Sequence, residues 1–350
     1  MRIGFYGMPS AGKTYILNQI DFIKVLAGSA MLREMCPDYD LRDNEGKNVV
    51  RKQLADSLFS VESFIMDGHY AFGDKIAFTE SDGRLYDAFL YLYISPEVLK
   101  ERMKATERNQ KYLAFDIEKW QKTEIEELRD YCHVNGKDFY VIDNPPENKF
   151  DDVSNIVDFI REVINGYSCV SLAKRCAKDI LLRSKTDTIT LMDGDKTITI
   201  EDSSNMVFGY NTHLYDGNFY TGYQSWNQGI EFEQYNFEDL TRMPVSLNEK
   251  VCKAIDGNTY ILTSGHERVW GFISNRLGVP YYFGIEMSAE TKLYITKILQ
   301  KAGKRVIAYG DGMNDYFMLK QADEGFLVTK QDLSISRSLK GKDLEGLKLV

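Results

Sequence analysis

The stretch GFYGMPSAGKTYIL, Gly4–Leu17, is an apolar run, a glycine-punctuated loop and the start of a second apolar segment. Arg2 to Tyr6 reads as a short buried strand and Lys13 to Gln19 as a helix. The loop between them matches G-x-x-x-x-G-K-[ST] at Gly7, Gly12, Lys13 and Thr14. In such a loop the backbone N–H groups, Ser10 and Ala11 among them, wrap a phosphate where the helix begins. The lysine bridges β- and γ-phosphates, and the threonine hydroxyl ligates Mg²⁺. A strand before and a helix after are the context the motif requires, and the flanking residues supply both. An ATP site in an α/β fold follows.

Outward from this stretch, strands and helices alternate. Phe64–Met66 is a buried strand ending at Asp67, and Tyr86–Ser95 is a longer one. Asp138–Ile142 is a third. Helical segments cover Asn48–Val61, the run opened by Pro96, Phe115–Cys132 and Val153–Ile164. Such alternation predicts a parallel sheet covered on both faces. NGYS, Asn165–Ser168, is a weak break, and Cys169–Arg183 reads as a joining helix. The alternation then restarts with strands Thr188–Met192, Thr259–Leu262, Arg305–Ala308 and Phe326–Thr329. The expected organisation is residues 1–166, a linker helix at 167–185, and a second α/β unit at 186–350 with an inserted cap at about 201–249.

Several pieces of the first unit resemble the adenylate kinase-like nucleoside and nucleotide kinases. FIMDGHY places Asp67 at a strand end, where the resemblance implies an acidic group that holds Mg²⁺-bound water or activates the acceptor hydroxyl. YLYISPEVLKERM resembles the family's strand and Pro-Glu helix start, with Arg102 on the helix. ATERN offers Arg108 where these kinases carry a lid with arginines. VIDN, Val141–Asn144, resembles the last strand, near which adenine rests. A transferring phosphoryl group needs cations about its oxygens, so Lys13, Mg²⁺, Arg102 and Arg108 are the candidates. His69 is a candidate for contact with the acceptor, and Arg51 for binding an acceptor phosphate.

TITLMDGDKTITI, Thr188–Ile200, ends an apolar run in Asp193 and Asp195, followed by Thr197. The spacing D-x-D-x-T resembles the first motif of the haloacid dehalogenase (HAD) phosphatases. The resemblance implies Asp193 as nucleophile, forming an aspartyl-phosphate, and Asp195 as general acid and then base. YILTSGH resembles the second motif, with Thr263, Ser264 and Gly265 around the phosphoryl group. Lys292 resembles the third motif's cation. GDGMND resembles the fourth, with Asp311 as metal ligand and Asp315 as a ligand or as support for one. Mg²⁺ would be held by Asp193, the Asp195 carbonyl, Asp311 and Asp315, all through oxygen. GDGMND and the TSGH stretch look most like the phosphoserine phosphatase-like branch. The cap is where the chain departs: it is rich in Tyr, Trp, Asn and Gln and has no charge set suited to phosphoserine. Tyr223 and Trp226 are its candidates for stacking on a ring or sugar, with ordinary packing the plainer role. Lys196 stands where glycine is common and receives no role.

Composition bounds the partners. The 350 residues carry 43 Lys and Arg against 52 Asp and Glu, a net charge of −9. That balance argues against a broad grip on nucleic acid, which needs clustered cations. The five scattered cysteines show no zinc spacing and read as reduced packing thiols of a cytoplasmic protein. No apolar run approaches a membrane span. The favoured expectation is a bifunctional enzyme using ATP and Mg²⁺ on small phosphorylated metabolites; its oligomeric state is open. One alternative is a polynucleotide 5′-kinase and 3′-phosphatase, which the kinase-first order also resembles. The other is a phosphatase with a regulatory ATP-binding domain.

Overall fold

Two α/β units, Met1–Tyr167 and Ser168–Val350, make up the protein. The computed structural model describes residues 1–143, 153–203, 219–233 and 245–350. In the first unit, β1 (Arg2–Tyr6), β2 (Val25–Leu26), β3 (Phe64–Asp67), β6 (Ala88–Tyr93) and β7 (Asp138–Asp143) form one parallel sheet, ordered β2-β3-β1-β6-β7. A small antiparallel pair, β4 (Ala71–Phe72) and β5 (Lys75–Ile76), follows β3. Ile3, Phe5, Phe64, Phe89, Leu90 and Phe139 are fully or almost fully buried. Central strands of a parallel sheet are covered on both faces, which is why these runs are continuously apolar.

The sheet of the second unit has six strands, in the order Tyr281–Tyr282, Thr259–Leu262, Thr188–Asp193, Arg305–Gly310, Glu324–Leu327 and Lys348–Leu349. The strands are β8 (Thr188–Asp193), β9 (Thr259–Leu262), β10 (Tyr281–Tyr282), β11 (Arg305–Gly310), β12 (Glu324–Leu327) and β13 (Lys348–Leu349), every pairing parallel. Asn258 fixes the start of β8. Its side-chain amide donates to the carbonyls of Thr186 and Thr188, and its oxygen accepts from the Lys185 N–H.

Some elements differ from expectation. The helix Cys169–Arg183 is no free linker. Ser168 caps it by accepting from the Ser171 N–H, and Val170, Ala173, Cys176, Ala177 and Ile180 pack with Ile189, Leu191, Ile295 and Leu299. Its apolar stripe makes it a wall of the second unit. The helix expected at Asn48–Val61 runs from Asn44 to Leu58, because Asp43 caps it by accepting from the Gly46 N–H at 2.8 Å. The helix after the first loop is short, Lys13–Leu17. The fourth strand of the second unit lies at Glu324–Leu327 rather than Phe326–Thr329. No helix among the described residues is long and apolar enough to cross a membrane.

Candidate functional site

The first site is the loop between β1 and the helix Lys13–Leu17. Its backbone turns through positive φ at Gly7, Ser10 and Gly12. Gly7 has a second constraint: a Cβ there would lie 2.9 Å from the Leu92 carbonyl oxygen. Lys13 is buried at the loop's centre, its Nζ donating to the carbonyls of Gly7 at 2.5 Å and Met8 at 3.3 Å. Burial lowers its pKa to about 8, against the pull of the Asp67 and Glu124 carboxylates. His69 Nδ1 lies 3.5 Å from the same Nζ, and burial together with Lys13 holds the imidazole well below its usual pKa. Thr14 is exposed beside Lys13.

Arg102, on the helix Pro96–Ala105, donates from Nη1 to the Ala11 carbonyl at 3.1 Å and so reaches the loop. Arg108 does not share this position; it is exposed in the 3₁₀ segment Glu107–Ala114. The loop contact from that segment comes from Asn109, whose Nδ2 donates to Ser10 Oγ at 2.7 Å. Nothing in the sequence singled out Asn109. Asp67, at the end of β3, accepts from the Gly28 N–H at 2.8 Å. A pocket beside it is lined by Asp67, His69, Arg51 and the rings of Tyr6, Tyr39 and Tyr86. Arg51 donates to Asn48 Oδ1 at 2.8 Å, with its guanidinium 5.9 Å from the centre of the Tyr39 ring. Of VIDN, Asp143 ends β7 and Asn144 lies outside the described residues.

The second site gathers at the carboxyl ends of β8, β9 and β11. Lys292, on the helix Ala289–Lys301, is wholly buried. Its Nζ donates to Asp193 Oδ1 at 2.6 Å and to Asp315 Oδ1 at 2.7 Å. Asp315 Oδ2 accepts from the N–H groups of Asp311 and Gly312 at 3.2 and 3.3 Å. One carboxylate therefore ties the lysine to the turn that presents Asp311. Burial and then the Asp315 charge push Asp193 up to about 7, and burial with Asp315 and Asp193 raises Asp311 well above its usual range. Burial works to lower the Lys292 pKa, but the two carboxylates outweigh it and raise it.

Asp195 follows in the tight turn Gly194–Ile198. Its Oδ1 accepts from the Ser203 N–H at 2.8 Å and its Oδ2 from the Trp270 indole at 3.3 Å. Burial and then Asp202 raise its pKa to about 6. Lys196 sits at positive φ and pairs with Asp202 at 2.6 Å. Thr263 Oγ1 accepts from the Gly265 N–H at 2.9 Å, and Ser264 Oγ accepts from Asn314 Nδ2 at 3.0 Å. Thr197 Oγ1 and Asn314 Oδ1 are buried with no hydrogen-bond partner among the described residues.

Carboxylate oxygens of Asp193, Asp311 and Asp315 lie within 4.8 Å of one another. Three carboxylates, two buried and that of Asp311 half-buried, against one ammonium leave the cluster short of positive charge. An all-oxygen donor set with that deficit fits a hard divalent cation. Of the cap, only 201–203, 219–233 and 245–249 are described. Tyr223 and Trp226 are buried there and stacked on each other at 6.4 Å, which favours packing over presentation of bare rings. The end of the helix Gly222–Glu233, which carries both rings, reaches the second motif, with Phe232 edge-on to His266 at 5.6 Å. The five cysteines are free thiols, four of them buried.

No protein-family model matches the chain, and no curated protein does. Among solved structures it is similar to a shikimate kinase from Bacteroides thetaiotaomicron at 15% identity, over 47% of this chain and 98% of that one, with a TM-score of 0.34. It is also similar to a substrate-bound phosphoserine phosphatase at 16% identity, over 43% of this chain and 90% of that one, with a TM-score of 0.32. A HAD family hydrolase from Salmonella enterica subsp. enterica serovar Typhi matches at 16% identity, over 42% and 64% of the two chains, with a TM-score of 0.29. Likeness at this level bears on neither substrate nor activity.

Proposed function

We propose that the chain is a bifunctional phosphoryl-transfer enzyme. Its first unit is an ATP-dependent kinase and its second a Mg²⁺-dependent phosphomonoesterase, both acting on small metabolites such as nucleosides, nucleotides or sugar phosphates. The observation that carries the proposal is the buried Lys292 bridging Asp193 and Asp315, with Asp311 in the same cluster and Asp195 beside it. A buried charge cluster of this cost is retained for chemistry more readily than for stability.

In the phosphatase half, an Asp193 carboxylate oxygen attacks phosphorus as the bond to the leaving oxygen breaks. Asp195 gives that oxygen its proton. Water then attacks the aspartyl-phosphate, Asp195 takes the water's proton, and the Asp193 carboxylate is released. Lys292 offsets charge on the phosphoryl oxygens, which Thr263, Ser264 and Gly265 also meet. Asp193, Asp311 and the Asp195 carbonyl, with Asp315 as ligand or support, would hold Mg²⁺, which would supply charge neutralisation to the carboxylates and the phosphate. In the kinase half, Lys13 exchanges its backbone carbonyls for the β- and γ-phosphates, with the N–H groups from Gly7 to Thr14 around them. Arg102, which meets the Ala11 carbonyl, adds positive charge at the loop, Thr14 would ligate the cation, and Asp67 takes the proton of the acceptor hydroxyl.

Two substitutions test the two halves separately. Asp193→Asn should lower p-nitrophenyl phosphate turnover about 10³-fold or more and leave ATP-dependent transfer intact. Lys13→Ala should do the reverse. Undiminished phosphatase activity in the first variant removes the nucleophile, and unchanged ATP turnover in the second removes the kinase. A strong preference of the second site for 3′-phosphorylated oligonucleotides over small phosphomonoesters would move the substrate to nucleic-acid ends.

A further inference from the structure

Trp270 takes no part in the steps above, yet it touches the general acid. It lies on the helix Glu267–Leu277 with no exposed surface, and its Nε1–H donates to Asp195 Oδ2 at 3.3 Å. The other carboxyl oxygen is already held by the Ser203 N–H. Both oxygens of Asp195 are thus fixed, one by the main chain and one by a single indole.

Two glycines make room for that indole. A Cβ on Gly194 would fall 2.4 Å from Trp270 Cζ2. One on Gly265 would fall 2.3 Å from Trp270 Nε1 and 2.7 Å from Asp195 Oδ2. Neither glycine adopts positive φ, so backbone conformation does not demand glycine at either position. What demands it is the space taken by the ring and, at Gly265, by the hydrogen bond itself. The sequences on both sides of the indole are fitted to the contact between Trp270 and Asp195.

We propose that Trp270 is a positioning residue of the phosphatase site, holding the Asp195 carboxyl group in the orientation from which it protonates the leaving oxygen; this rests on the phosphatase function proposed above. In that step the bond from Asp193 to phosphorus forms, the bond from phosphorus to the leaving oxygen breaks, and the Asp195 proton moves to that oxygen. Without the indole N–H one carboxyl oxygen loses its anchor, and the group turns about its Cβ–Cγ bond. The loss falls unevenly across substrates. An alkoxide must receive its proton as it departs, whereas p-nitrophenolate leaves as a stable anion and gains little from an acid.

The test compares kcat/KM, which reports the steps up to the aspartyl-phosphate, for benzyl phosphate and p-nitrophenyl phosphate. Trp270 is replaced by 3-benzothienylalanine, which keeps the bicyclic shape and exchanges the N–H for sulfur. Trp270→Phe serves as a second variant. We expect kcat/KM to fall about ten-fold or more for benzyl phosphate and less than about two-fold for p-nitrophenyl phosphate. An equal loss on both substrates makes Trp270 a packing residue and overturns the inference alone, as does no loss on benzyl phosphate. If the unaltered chain hydrolyses neither ester, or Asp193→Asn hydrolyses both, the phosphatase proposal falls and this one with it.

Discussion

Each half of the protein buries one lysine at the centre of its site, and the two are held in opposite ways. Lys13 is surrounded by main-chain carbonyls, and burial lowers its pKa to about 8. Lys292 sits between two carboxylates that raise its pKa despite complete burial. Burial alone disfavours an ammonium, and burial with charged partners favours it. The first arrangement suits a cation that must leave its resting partners for a polyphosphate. The second suits a cation that stays and keeps two acids apart.

The contrast breaks most readily at Lys292. Lys292→Met leaves Asp193 and Asp315 buried and facing each other, so urea denaturation should show a loss of about 3–5 kcal/mol together with loss of phosphatase activity. Added Mg²⁺ should recover part of that stability by occupying the same acids. Lys13→Met removes a cation that burial already disfavours and should cost about 1 kcal/mol or less, while abolishing phosphoryl transfer. Equal destabilisation by the two substitutions would show that the carbonyl cage holds Lys13 as firmly as the carboxylates hold Lys292. Smaller effects separate the arginines. Arg102→Ala should lower kcat/KM for ATP about ten-fold and Arg108→Ala less than about two-fold, since only Arg102 reaches the loop. Asn109→Ala, which removes one neutral hydrogen bond to Ser10, should raise the KM for ATP a few-fold.

The loop after β1 was legible because a turn through positive φ at Gly7 and Gly12 needs glycines at fixed spacing. The central strands were legible because a doubly covered strand must be apolar throughout. The shortest edge strands were not. β2, β10 and β13 are two residues long, too short for any period to register. β12 was displaced because its inward contacts begin at Gly325, where a Cβ would lie 2.4 Å from the Leu319 carbonyl oxygen. A strand that packs through a glycine leaves no hydrophobic signal there. The start of the helix Asn44–Leu58 was marked by Asp43, a capping residue whose role depends on where the helix begins. In the second site Asp193, Asp195, Asp311 and Asp315 were visible in sequence, and Asp202 was not. The partners that orient them were not, because Trp270 acts through a contact 75 residues along the chain and Ser203 through its main-chain N–H, which no residue type marks.

The placing of β8 between β9 and β11 also has a consequence in time. Asp193 ends the central strand, yet its cation lies 99 residues further along the chain. A growing chain that has made β8 and β9 holds Asp193 with no ammonium to meet it, and burying that carboxylate is then unfavourable. The middle of the sheet can close around Asp193 at low cost only after the helix Ala289–Lys301 docks. The pairing of β11 beside β8 is a contact of equally long range, with a correspondingly large loop-closure entropy. The acidic pocket is therefore among the last parts of its unit to assemble, and a chain interrupted before Lys292 would hold its sheet open around an unpaired acid.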